Sequence, residues 1–147
     1  MLSKNSLVTN STCTPGRASI LTGQYSHKNG VYTLNDSLTK STTHIGHLLR
    51  RLGYATALIG KWHLLIDPTG FDYWNVLPGQ GLYYNPPMIE NGVRSVRHGY
   101  VTDLIANVSL EWLEKRCKTK PFMVFSQHTA PPPQWAPALA PLTMSAH

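Results

Sequence analysis

Acidic residues are what this sequence has least of. Seven Asp and Glu stand against thirteen Lys and Arg, for a formal net charge of +6 at pH 7 with the seven histidines neutral. So few carboxylates leave little means of building an all-protein site for a hard cation, which takes about six to eight oxygen ligands. Cysteine is equally scarce. Cys13 and Cys117 are the only two, which excludes a disulfide-dense scaffold. No apolar run reaches the roughly eighteen residues of a membrane span, so none is expected. The start, Met1-Leu2-Ser3-Lys4-Asn5-Ser6, has no apolar stretch of the signal-peptide kind. No internal repeat and no linker interrupts the chain. What is present suits one domain: 147 residues, 41% hydrophobic, with 11 Gly and 11 Pro. That is enough apolar material for a core, with many turns and no low-complexity tract.

Pro15 suits the first turn of a helix, Ala18 to Leu21 can continue it, and Gly23 can close it. Cys13 then stands just before a helix N-terminus, where the backbone favours negative charge. Gln24 to Lys40 is polar and turn-rich. Ile45, Leu48, Leu49 and Leu52 recur at helical spacing after a cap expected within Ser41 to Thr43, with Gly53 as the stop. Tyr54 to Ile59 reads as a buried strand, and Gly60-Lys61-Trp62-His63 leaves its end. Leu64 to Gly99 is so punctuated by Pro and Gly that an irregular, functional excursion is expected. Tyr100 to Arg116 reads as an amphipathic helix with basic residues at its end, and Phe122 to Phe125 as a second buried strand introduced by Pro121. Helix, strand, excursion, helix, strand is an α/β pattern with a parallel sheet, whose carboxyl ends are where ligands bind. Lys61 and His63 fall past one such end, and His128 past the other.

Each chemistry-bearing residue has a plain alternative. Cys13 with Arg17 four residues on suits an activated thiol, or a buried structural cysteine. Lys61 and His63, two apart on one face of an extended segment, suit an anionic substrate and a proton transfer, or a surface lysine and a packed histidine. His44 and His47 lie at metal-ligand spacing on a helix, but without a third ligand near in sequence they read as ordinary helix residues. Asn107-Val108-Ser109 fits the glycosylation sequon yet sits inside the helix expected over Tyr100 to Arg116, so it reads as incidental. The basic residues are scattered rather than interleaved with aromatics, so no nucleic-acid partner is expected.

Cys13-Thr14-Pro15-Gly16-Arg17, continued as Ala18-Ser19-Ile20-Leu21-Thr22-Gly23, resembles the signature of the formylglycine-dependent type I sulfatases. Gln24 to Val31 resembles the continuation of that element, and Gly53-Tyr54-Ala55-Thr56 with Gly60-Lys61-Trp62-His63-Leu64 resembles the second signature. Gly70-Phe71-Asp72-Tyr73-Trp74, Tyr83-Tyr84-Asn85 and Tyr100-Val101-Thr102-Asp103 are similar to elements of the glycan sulfatases, nearest to the N-acetylglucosamine-6-sulfatase branch. The likeness runs from about Asn5 to Leu139. It implies an alkaline-phosphatase-like α/β domain with a mainly parallel sheet and flanking helices, hydrolysing sulfate esters on amino sugars of glycosaminoglycans or mucin glycans. It implies that a formylglycine-generating or anaerobic sulfatase-maturating enzyme reads Cys13, Pro15 and Arg17 and converts Cys13 to formylglycine. Formylglycine at position 13 would then be a ligand of Ca²⁺, Arg17 would orient the hydrated aldehyde, Lys61 would hold a sulfate oxygen, and His63 would bond the diol. Export to periplasm, lysosome or the outside is the family habit.

Two departures modify that expectation. The family's calcium is held by two acidic residues well before the cysteine and by an acidic–amide pair far downstream. Here twelve residues precede Cys13 and none is acidic. Residues 1–147 are therefore expected to be a partial catalytic domain with an incomplete metal site and no activity on its own. Asp67, Asp72, Glu90, Asp103, Glu111 and Glu114 do not match the ligand motifs. After the last strand, relatives carry Lys-Ala-Pro-His, where this chain has Thr129 and Pro132 at the Lys and His positions. His128, four residues earlier, is a weak substitute. Two further readings stay open: a sulfated-glycan-binding fragment without catalysis, its charge steering it to sulfated polymers, and a related phosphonate or phosphate monoester hydrolase.

Overall fold

The computed structural model describes residues 5–129. Its elements run α1 (Cys13–Thr22), α2 (Ser26–Asn29), α3 (Ile45–Arg51), β1 (Ala55–Lys61), β2 (Tyr73–Leu77), β3 (Pro87–Glu90), β4 (Val93–Val96), α4 (Val101–Lys115) and β5 (Phe122–Gln127). The strands form one sheet in the order β4-β3-β2-β1-β5. β1 is parallel to both β2 and β5, while β2, β3 and β4 are antiparallel neighbours. The α/β class and the parallel arrangement of the strands around Lys61 are as expected. The sheet as a whole is mixed.

β1 is buried on both faces, which is why its sequence is a nearly continuous apolar run. Leu58 packs with Ala18, Leu21, Trp62, Leu64 and Phe71 on the α1 and α3 side. Ala57 and Ile59 pack with Leu77, Met88, Val101 and Ile105 on the α4 side. Leu58, Ile59, Leu21 and Ile105 each contribute about 1.5–3 kcal/mol by leaving water. This double packing fixes the carboxyl end of β1, where Lys61 stands.

Several local expectations are corrected. α1 begins at Cys13 itself, with Thr12 as its N-cap residue, and Gly23 ends it in the left-handed conformation. The cap of α3 is His44, whose Nδ1 accepts from the Gly46 N–H at 3.2 Å, rather than Ser41 to Thr43. Leu48 and Leu52 face solvent. β1 extends through Gly60 and Lys61. Leu64 to Gly99 is not irregular throughout, since it holds β2, β3 and β4. The β3–β4 hairpin turns at Asn91-Gly92, both at positive φ (45° and 92°), the geometry of a two-residue hairpin loop. β5 is an edge strand and only half buried.

Candidate active site

The site is assembled where α1 crosses the carboxyl end of β1. Its hydrogen bonds stitch the first helical turn to the segment after the strand. The Thr14 hydroxyl donates to the His63 carbonyl at 3.0 Å, and Arg17 Nη1 donates to the Lys61 carbonyl at 2.7 Å. Thr14 is fully buried, so this bond forms without competing water. His63 lies at φ 53°, outside extended backbone, so Lys61 and His63 are not on one face of a strand. The left-handed turn instead swings the imidazole back over the helix start. There His63 Nδ1 stands 3.1 Å from Cys13 Sγ. A non-glycine residue held in that conformation costs about 1–3 kcal/mol and persists only when its surroundings impose it.

The electrostatics follow from burial. Lys61 is only 8% exposed. Burial lowers its pKa from the ordinary lysine value, Arg17 adds to this, and Cys13 opposes it. Burial also lowers the Arg17 pKa, with Cys13 again opposing, and guanidinium remains protonated at any physiological pH. His63 is lowered below the usual histidine value, first by burial and then by the charges of Lys61 and Arg17. That direction favours the uncharged imidazole, a form in which one ring nitrogen can accept a proton. The arrangement is thus a thiol on the first turn of a helix, an imidazole in contact with it, and a buried ammonium and a half-buried guanidinium beside both.

Cys13, Arg17, Lys61 and His63 all meet here. His128 does not bond to them. It lines the same groove of about 640 Å³ as Cys13, Arg17 and Ile20, is exposed, and lies 3.5 Å from Ser126 Oγ. Thr129 Oγ1 is buried without a partner among the described residues. Pro132 and the chain beyond lie outside them. His44 and His47 do touch, ring edge to ring face at 4.2 Å between centroids, but no third ligand joins them among the described residues. The sequon residue Ser109 is buried and bonds Ile105 and Ser126.

Two residues that sequence reasoning missed hold the cations. Lys61 Nζ donates to Gln80 Oε1 at 2.5 Å, and Arg17 Nη1 donates to Gln127 Oε1. Gln127 pairs with Gly60 in the β5–β1 register, so its side chain starts beside the strand end. No local pattern marks either glutamine; both contacts span long sequence separations. A hard cation does not fit this donor set. Among the described residues no three His, Cys, Asp or Glu converge, and the groups around Cys13 are a guanidinium, an ammonium and an imidazole.

The fold and site define an α/β protein with a thiol, an imidazole and two cationic side chains gathered at the carboxyl end of a parallel strand. The sulfatase family model matches residues 1–141, and the chain belongs to that family. It is 42% identical over 137 residues to the N-acetylglucosamine-6-O-sulfatase of Bacteroides thetaiotaomicron, covering 91% of this chain and 25% of that protein. The Bos taurus N-acetylglucosamine-6-sulfatase is 32% identical, covering 94% of this chain and 29% of its own length. The solved structure of BT4656 in complex with its substrate D-glucosamine-2-N,6-O-disulfate superposes with a TM-score of 0.89 at 41% identity, over 92% of this chain and 28% of that one. The chain thus spans about a quarter of the length of the curated relatives it matches.

Proposed function

We propose that this chain carries the nucleophile side of a sulfatase centre that hydrolyses sulfate esters on amino sugars. The observation that carries this reading is the Cys13–His63 contact at 3.1 Å on the first turn of α1, flanked by Arg17 and Lys61. The amino-sugar class is supported by the two glucosamine-6-sulfatases and by the disulfated glucosamine in BT4656.

Cys13 is the residue that a maturation enzyme would oxidise, guided by Pro15 and Arg17. The position fits formylglycine, because its side chain points at an imidazole that can bond an oxygen there. As its hydrate, formylglycine supplies an oxygen nucleophile for sulfur. As the new S–O bond forms, the ester S–O bond breaks and the sugar alcohol leaves; the chain's own residues serve the nucleophile and the sulfate in that step. His63 accepts the proton of that oxygen, as a neutral base should. Lys61 holds a sulfate oxygen by a charge-assisted bond, and Arg17 fixes the nucleophile's orientation. Calcium is a family property for which the described residues alone do not supply a site, and none of these steps runs through it.

Coexpression with a maturation enzyme followed by peptide mass spectrometry tests the reading. Replacement of the Cys13 thiol by an aldehyde oxygen is expected, together with release of sulfate from 6-sulfated glucosamine by the whole protein. An unmodified Cys13 would count against it, and turnover of phosphate esters in place of sulfate esters would move it to the phosphoryl-transferring relatives. The neutral Thr129, where relatives carry a lysine, favours a second reading: a sulfated-glycan-binding protein without turnover. That reading predicts salt-sensitive heparin binding with no formylglycine.

A further inference from the structure

All seven acidic residues of the chain lie among the described ones. Three of them form ion pairs: Asp72 with Arg50, Glu90 with Arg97 and Glu111 with Lys115. Lys61 is the one buried Lys or Arg among the described residues and Arg17 beside it is half-buried, yet neither is paired with a carboxylate among those residues. Their acceptors are amide oxygens: Gln127 Oε1 and the Lys61 carbonyl for Arg17, and Gln80 Oε1 for Lys61. Arg17 Nε is buried with no partner among the described residues. Burying an ammonium and a guanidinium without counter-charge is costly, and a carboxylate at either acceptor position would relieve the cost. Glu has nearly the same shape as Gln. The amide therefore offers the geometry of a salt bridge while withholding its charge.

We propose that Gln80 and Gln127 are positioning residues that hold Lys61 and Arg17 by neutral acceptors, leaving both positive charges uncompensated for a sulfate group. The inference rests on the sulfatase reading for the identity of the anion, and on the hydrogen bonds alone for the mechanism. Gln80 sits in the tight turn after β2, where the Gly81 N–H donates to the Pro78 carbonyl at 3.2 Å. Gln127 is set by the β5–β1 register. Both ends of the tether are thus anchored to the sheet on either side of β1. The site receives two aimed donors, neither of them paired with a carboxylate among the described residues.

The proposal makes an inverted ranking of variants. If the glutamines were only structural tethers, Gln→Glu would be the mildest change, because it keeps the acceptor. If they act by withholding charge, Gln→Glu is the most damaging. The experiment is calorimetric titration of inorganic sulfate into the full chain at neutral pH and low salt. Q80E and Q127E are each expected to weaken sulfate binding about tenfold or more, because each places a carboxylate against a site cation. Q80M and Q127M, which remove the acceptor and add no charge, are expected to weaken it less. Q24E, beyond the far end of α1, changes net charge equally and is expected to bind as wild type. Glu variants that bind like wild type, Met variants weaker than Glu variants, or a wild-type chain that binds no sulfate would each overturn the proposal. Thermal melts accompany each variant. If Q127E does not fold, the exposed Gln80 variants decide alone. Formylglycine analysis of Cys13 is a separate readout, so sulfate binding with the inverted ranking but no aldehyde would leave the tether standing and remove the sulfatase reading.

Discussion

Two pairs of cations in this molecule are held in opposite ways. Arg50 and Arg97, on the flanks of the sheet, rest on Asp72 and Glu90 at 2.7 Å each, with both partners substantially open to solvent. Arg17 and Lys61, at the carboxyl end of β1, rest on amide and backbone oxygens, with Lys61 buried and Arg17 half-buried. Stability alone predicts the reverse, with counter-ions spent on the charges that water cannot reach. On the proposed function the inversion makes sense. The flank arginines tie down structure, Asp72 also accepting from the Thr56 N–H and hydroxyl. The site cations are stored for a ligand.

The largest effect is expected at the hinge between the two regions. Gly60 precedes Lys61, has φ 101°, and faces Gln127 so closely that a Cβ would lie 2.1 Å from its carbonyl oxygen. Gly60→Ala must therefore part β1 from β5 at the level of the site. It should cost about 3 kcal/mol or more, through backbone strain and overpacking together. Chemical denaturation measures this. An unaltered midpoint would mean that the strand ends are not locked, and the contrast between tethered and ion-paired cations would lose its structural basis.

Lys61→Met comes next and separates function from stability. Removing one charge-assisted donor should weaken sulfate binding by about tenfold or more. Yet the same change removes an ammonium that is buried without counter-charge, so the melting temperature should hold or rise. A variant that lost stability along with binding would show that Lys61 is structural, like Arg97.

How much of this was legible depends on range. The first helix was readable from Pro15 and Gly23, though its start at Cys13 was not; the strand through Ile59 was readable from its apolar run, and α4 from its apolar periodicity. Short β2 was hidden by the Pro and Gly on both sides of Tyr73 to Leu77. The β3–β4 hairpin carried its own signal in Asn91-Gly92, outweighed by the irregular composition around it. Cys13 and His63 were legible as motif residues, but their contact was not. It depends on the positive φ of His63, which no periodicity reports. Gln80 and Gln127 were invisible for the same reason: glutamine has no motif, and both bonds cross the fold.

His44 tests the comparison from a third side, as a basic group kept uncharged by its surroundings. Its pKa is lowered to about 4 from the ordinary 6.5, first by burial and then by His47. His47 is itself lowered by burial and by Arg51 and Arg50. The unfolded chain takes up the His44 proton below 6.5 and the folded chain only near 4. The unfolded state thus binds more protons in this window, so stability is full above it and falls as the pH drops through it. His44→Asn, which retains a capping side chain, should flatten that fall in melts recorded across the window. An unchanged slope would assign it to other groups.

Arg97→Gln should do least. The pair with Glu90 is half exposed, with side chains 42% and 39% accessible, and such pairs contribute about 0–1 kcal/mol. Tyr73 keeps its own bond to Glu90 at 2.8 Å, so the carboxylate is not left alone. Sulfate affinity should not change, because Arg97 lies on the hairpin flank and its charge is already answered there. The same unit of charge removed at Lys61 is expected to cost binding and spare stability. At Arg97 it should spare binding and cost a little stability. If sulfate affinity fell equally in both variants, diffuse charge rather than aimed donors would hold the anion, and the distinction between the two pairs of cations would disappear.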